Sequence, residues 1–188
     1  MRNIKLIIEY DGKDFNGWQK QPKHLNIQGE IEKAIQGVTG EEVDLIGSGR
    51  TDAGVHALGQ VANFHTNSKI PIDKMAIAIN SQLKKSIVIQ NALEVDERFH
   101  SRYHAKKKTY QYIINCSPYG TAIYRQLEYC FPMKLNVEAM RKAAKYFEGE
   151  HDFSGFKASG TSNKNSIRTI YQLEVLKQSE RIIIRVTR

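Results

Sequence analysis

The segment Gly47-Ser48-Gly49-Arg50-Thr51-Asp52-Ala53-Gly54-Val55-His56 gathers a carboxylate, a guanidinium, two hydroxyls and an imidazole in one short stretch. Its three glycines let the backbone bend sharply and come close to a bound group, as binding loops do. A carboxylate is ionised at neutral pH and can serve as a nucleophile where its surroundings keep it charged. Arg50, two positions from Asp52, is close enough in sequence to help with that. The bland alternative is that Asp52 caps a turn ahead of Gly54. Asp-x-Gly turns are common, and spacing alone favours this alternative.

Few other residues offer chemistry by their spacing. His100 and His104 lie four apart, but no Glu follows His100, so the zinc-protease pattern is absent, and the six histidines show no other metal spacing. Cys116 and Cys130 form no C-x-x-C pair, which argues against a zinc ribbon or a dithiol redox site and fits a reducing cytoplasm. Arg98, Arg102, Lys84-Lys85 and Lys106-Lys107-Lys108 could line a groove that holds phosphates without reading sequence. Taken singly, each is an ordinary solvated cation.

The elements that must position these groups follow from periodicity. Ile4, Leu6, Ile8 and Tyr10 alternate with Lys5, Ile7 and Glu9, which predicts a first strand. Asn26 can cap a helix with Ile27, Ile31, Ala34, Ile35 and Val38 on one face, ended by Gly37 or Gly40. Strands are expected at 42–46 and 60–65, a second helix with Ile72, Met75, Ala76, Ile79 and Leu83 inward, and a strand at 87–93. Strand, helix, strand, strand, helix, strand is the split β-α-β order of ferredoxin-like, or RRM-like, folds.

A second unit starts with a strand at 107–115. A helix follows the cap Asn136, with Val137, Met140, Ala144 and Phe147 inward and Leu135 stapled to Met140. Strands at 167–176 and 181–188 end the chain. The expected fold is therefore α+β: two ferredoxin-like halves, 1–98 and 99–188, sharing a mostly antiparallel sheet. The second half lacks a final helix and strand. The last strand would then lack cover for Ile182, Ile184 and Val186, which suggests a C-terminus cut short. Segments 118–125 and 159–166 are the linker candidates, polar enough to be mobile and RNA-facing.

With 188 residues the chain can bury a real core without disulfides. No apolar run approaches a membrane span, and the first residues lack an export signal. Lys plus Arg outnumber Asp plus Glu by 28 to 20, a formal charge of +8, which modestly favours a polyanionic partner.

Gly49-Arg50-Thr51-Asp52-Ala53-Gly54-Val55-His56 resembles the catalytic signature of the TruA family of tRNA pseudouridine synthases. Further segments agree in the same order: Tyr10-Asp11-Gly12, Gly17-Trp18-Gln19-x-Gln21, Phe99-His100-Ser101-Arg102, Thr109-Tyr110-x-Tyr112 and His151-Asp152-Phe153. The resemblance implies that Asp52 attacks a target uridine and that Arg50 helps to extrude it. It further implies that Tyr110 stacks on the base, and that Thr51 and Arg102 contact the RNA. Tyr110 has a plainer reading as one aromatic of a buried strand, since Tyr112 is two residues on. Trp18 reads as core packing.

By the same resemblance the substrate is tRNA, at positions 38 to 40 of the anticodon arm, the enzyme when full length is a homodimer of the cytoplasm, and neither cofactor nor metal is used. Family members also continue past the last strand into a helix whose arginine pairs with the catalytic aspartate. Three readings therefore stand: an active synthase, a non-catalytic RNA-binding remnant, and an incomplete product that folds poorly alone.

Overall fold

The computed structural model describes residues 1–156 and 165–188, so most of the predicted 159–166 linker lies outside the described residues. The chain divides into two compact units, Met1–Ala105 and Lys106–Arg188.

The first unit runs β1 (Arg2–Tyr10), α1 (Ile27–Thr39), β2 (Ile46–Gly47), β3 (Ala57–Thr66), α2 (Ile72–Asn80) and β4 (Ile87–Val95). Its strands are ordered β2-β3-β1-β4 and are antiparallel throughout, which is the ferredoxin-like arrangement. Alternation in β1 turns Ile4, Leu6, Ile8 and Tyr10 to the helices, where each is almost fully buried against Ile27, Ile31 and Ile35 of α1 and Met75 and Ile79 of α2. Burying one such aliphatic side chain is worth about 1.5–3 kcal/mol. The Asn26 side chain accepts the Gly29 N–H at 2.8 Å, and Gly40, at φ 74°, closes the helix while Gly37 stays inside it.

The strand expected at 42–46 shrinks to Ile46–Gly47 because side chains of α1 take over its backbone groups. Leu45 N–H donates to Glu32 at 3.2 Å, and Leu45 C=O accepts from Gln28 at 3.2 Å. The unit extends through Ala105, where sequence alone divides the chain after 98. Asn3 donates to Phe99 C=O at 2.9 Å, Ser101 N–H donates to Asn63 at 2.9 Å, and the Ser101 hydroxyl donates to Ile46 C=O.

The second unit runs β5 (Thr109–Asn115), β6 (Tyr129–Cys130), α3 (Val137–Lys145), β7 (Gly149–Asp152), β8 (Ile167–Ile170), β9 (Gln172–Gln178) and β10 (Arg181–Thr187). Asn136 caps α3 by accepting the Ala139 N–H at 3.0 Å. The main sheet is ordered β6-β5-β10-β9, so β5, α3, β9 and β10 repeat the first four elements of the other unit in the same arrangement.

The α+β class is as expected, but the ladders run within each unit. Within the first unit β1 has β3 and β4 on its two edges, and within the second β10 has β5 and β9. Being central, β10 is not left bare either. Ile182 is buried under α3, and Ile184 packs against the same cluster. The single strand expected at 167–176 is two: β8 pairs with β7, and after Tyr171, whose N–H donates to Thr187 C=O, β9 pairs with β10.

Candidate active site

The signature segment is the loop from β2 to β3, and a second loop, between β1 and α1, holds it in place. Trp18 N–H donates to Thr51 C=O at 3.0 Å, Gly54 N–H to Phe15 C=O at 3.3 Å, and the Tyr10 hydroxyl meets Thr51 Oγ1 at 2.9 Å. The two loops touch so closely that side chains are excluded. A Cβ on Gly12 would lie 1.9 Å from Val55 O, and one on Gly17, already at φ 85°, would lie 2.5 Å from Thr51 O. A Cβ on Gly47 would strike the Trp18 indole at 2.6 Å.

From the other side, Ser48 N–H donates to Val61 C=O at 2.7 Å, and Gln60 bridges the Ser48 hydroxyl and Gly49 C=O, both at 2.7 Å. His56 fastens the far end. Its Nδ1 lies 3.3 Å from Gly12 N–H and 3.0 Å from Asp11 Oδ1. Neutral, it accepts from Gly12. Protonated there, it donates to Asp11. Either state ties the end of the loop to residues 11 and 12.

Asp52 sits at the crest. The turn it begins is closed by main chain, Val55 N–H to Asp52 C=O at 3.2 Å, with Gly54 at φ 77°. This geometry removes the capping alternative, because the carboxylate makes no hydrogen bond or ion pair with any described residue. Asp52 is exposed, as is Arg50, and the two, separated by Thr51, do not pair. Thr51 is half-buried, its hydroxyl committed to Tyr10.

Arg102 belongs to the same unit, on the turn after β4. Its N–H donates to His100 Nδ1 at 3.2 Å, and its side chain is exposed. Tyr110 lies in the second unit, on β5. It is 41% exposed, not the buried aromatic that the plainer reading expected, and it sits under the Arg188 guanidinium, 5.3 Å from the ring centroid, with Nη2 donating to its hydroxyl at 3.2 Å. Among the described residues no three His, Cys, Asp or Glu side chains gather as a metal site would require.

Trp18, read from sequence as core, is 2% exposed and is also the main-chain partner of the Asp52 loop. Sequence reasoning gave Tyr10, Gly12, Gly17 and His56 no part in holding this loop. The signal was present in Tyr10-Asp11-Gly12 and Gly17-Trp18, but nothing local says which loop they brace.

Comparison with known proteins identifies the family. The family described as tRNA pseudouridine synthase matches residues 6–104 and 143–187. A protein of Acetivibrio thermocellus named tRNA pseudouridine synthase A is 53% identical over 183 residues, 97% of this chain and 75% of that protein. Its namesake in Caldicellulosiruptor bescii is 50% identical over 187 residues, 100% of this chain and 77% of that protein. The one in Thermoanaerobacter sp. is 48% identical over 186 residues, covering 99% and 76%. With half of its residues shared along nearly its whole length, the chain belongs to the tRNA pseudouridine synthase family.

Proposed function

We propose that this protein isomerises uridine to pseudouridine in tRNA and that Asp52 is its nucleophile. The observation that carries the reading is an exposed carboxylate, spared from capping its own turn, on a loop held from two sides by main-chain hydrogen bonds. Such a loop fixes the position of the reacting atom before substrate arrives, which is how positioning lowers a barrier.

The reaction breaks the bond from uracil N1 to ribose C1′, turns the base, and joins C5 to C1′. The proton on C5 is lost and N1 gains one, so no atom is imported and no electron changes hands. Attack by Asp52 on either C1′ of the ribose or C6 of the base satisfies this balance. A redox-neutral isomerisation needs neither a nucleotide cofactor nor a metal.

In this reading Tyr110 offers a flat face to the base while it is detached. Arg50, exposed and unpaired among the described residues, fills the space left by the extruded nucleotide. Thr51 holds the loop to Tyr10 beneath the substrate, and Arg102 meets a phosphate. The target uridines are those at 38 to 40 of the anticodon arm, and the working form is a homodimer of the cytoplasm.

The test uses unmodified tRNA tritiated at uracil C5. The parent protein is expected to release tritium and to retain tRNA on a filter, and Asp52→Ala to retain tRNA without release. Retention by the parent without release would overturn the isomerase reading in favour of a non-catalytic RNA-binding protein.

A further inference from the structure

The turn after β4 holds two aromatic pairs, one stacked and one tilted. Phe99 and His104 stack at 5.6 Å, and His100 and Tyr103 lie 4.1 Å apart at 31°. His100 is locked in place. Its Nδ1 accepts the N–H groups of Arg102 at 3.2 Å and Tyr103 at 3.4 Å, which leaves its proton on Nε2, and its own N–H donates to His104 Nδ1 at 2.9 Å. Yet Tyr103, lying against this fixed imidazole, is 77% exposed. A large ring backed by another on one side and left in water on the other is a surface prepared for another flat ring.

Two features of the first unit say which ring. Arg102 beside Tyr103 and Arg98 earlier in the turn both turn their side chains to solvent, Arg98 at 3.5 Å from Asp96. Arginine next to an exposed aromatic is how proteins hold single-stranded nucleic acid, with phosphate on the cation and base on the ring. The turn is also fixed to the strand that leads into the Asp52 loop, since the Ser101 hydroxyl donates to Ile46 C=O and Ser101 N–H to Asn63. From Ile46 to Asp52 is six residues, a reach of at most about 22 Å of extended chain. A base resting on Tyr103 therefore belongs to the stretch of RNA around the target.

We infer that Tyr103, backed by His100, is a stacking platform for an unpaired base flanking the target nucleotide, with Arg102 on the adjoining phosphate. The inference rests on tRNA being the substrate, and it does not depend on Asp52 being the nucleophile. Stacking on such a base is equally strong in ground and transition states, so it lowers KM and leaves kcat alone.

The experiment compares the parent with Tyr103→Ala, Tyr103→Phe, Arg102→Ala and Asp52→Ala, measuring filter retention of unmodified tRNA over a range of salt, initial rates, and unfolding midpoints. Tyr103→Ala is expected to weaken retention and raise KM roughly 5- to 100-fold, with kcat, salt slope and unfolding midpoint unchanged. Tyr103→Phe should bind as the parent does. Arg102→Ala should lower the salt slope by about one.

Retention by Tyr103→Ala equal to the parent overturns the platform. So does Tyr103→Phe binding as weakly as Tyr103→Ala, since the hydroxyl would then be responsible. A parent that retains tRNA but releases no tritium overturns the isomerase reading alone, and the Tyr103 comparison still decides the platform. A parent that retains no tRNA overturns both.

Discussion

The Trp18 N–H donates to the Thr51 carbonyl at 3.0 Å, next to Asp52 in the chain. The same residue is the only tryptophan. Its buried indole lies where any Cβ on Gly47 would collide with it. Trp18 fluorescence therefore reports on the frame of the Asp52 loop. Gly47→Ala overpacks this contact and should lower stability by about 1–3 kcal/mol, measured as a lower urea midpoint with a shifted emission maximum. An unchanged midpoint and spectrum would mean that the contact is looser than the geometry implies.

Gly17→Ala should harm rate more than binding. The residue is at φ 85°, and its Cβ would push on Thr51 O, moving the main chain that carries Asp52. A displacement of this kind costs on the order of 100-fold in rate. Tritium release should fall accordingly while tRNA retention on a filter stays near the parent value. Loss of both together would assign Gly17 to the fold at large.

Acid should reach the first unit through Glu41. Its carboxylate accepts from the Thr66 hydroxyl at 2.7 Å and the Asn67 N–H, and these bonds lower its pKa from the usual glutamate value. A lowered folded value means that the contribution is present above the unfolded glutamate pKa and is lost as pH falls through the folded one. Unfolding midpoints measured from neutral pH downward should drop more steeply for the parent than for Glu41→Gln. Parallel curves would remove Glu41 from the acid response.

The two units should differ in how firmly their amides are protected. The first buries a cluster that includes Ile4, Leu6, Ile8, Phe64, Met75 and Ile79, whereas the α3 cluster of the second rests, among the described residues, on Ala144, Val175 and Ile182. Local opening follows the apolar contact that must be broken. Hydrogen exchange should therefore be faster in β5, β9 and β10 than in β1, β3 and β4. Equal protection would mean that the second unit draws its stability from elsewhere.

A homodimer should sediment at twice the chain mass and bind tRNA in that form. A monomer that binds tRNA with full affinity would count against the proposed assembly.

What could be read from sequence was what depends on near neighbours. The period of two in β1 and the caps Asn26 and Asn136 are local, and the structure has them as expected. The end of the strand near Leu45 was not legible, because Gln28 and Glu32 on a helix take its backbone groups. The division at Tyr171 was hidden too. Alternation from Ile167 to Leu176 is the same whether the strand keeps one partner or changes from β7 to β10. At the site, sequence picked out the Asp52 loop but paired Asp52 with Arg50 by nearness, while the structure spends its contacts on holding the backbone between them.

Those contacts make reagent and frame separable. The Asp52 carboxylate makes no hydrogen bond or ion pair with any described residue, so Asp52→Ala should leave the architecture intact. Gly12, Gly17 and Gly47 carry no functional group, yet each sits where one added methyl meets backbone or indole. A substitution at Asp52 would thus change the reagent and spare the frame, whereas one at these glycines would disturb the frame with the carboxylate still in place.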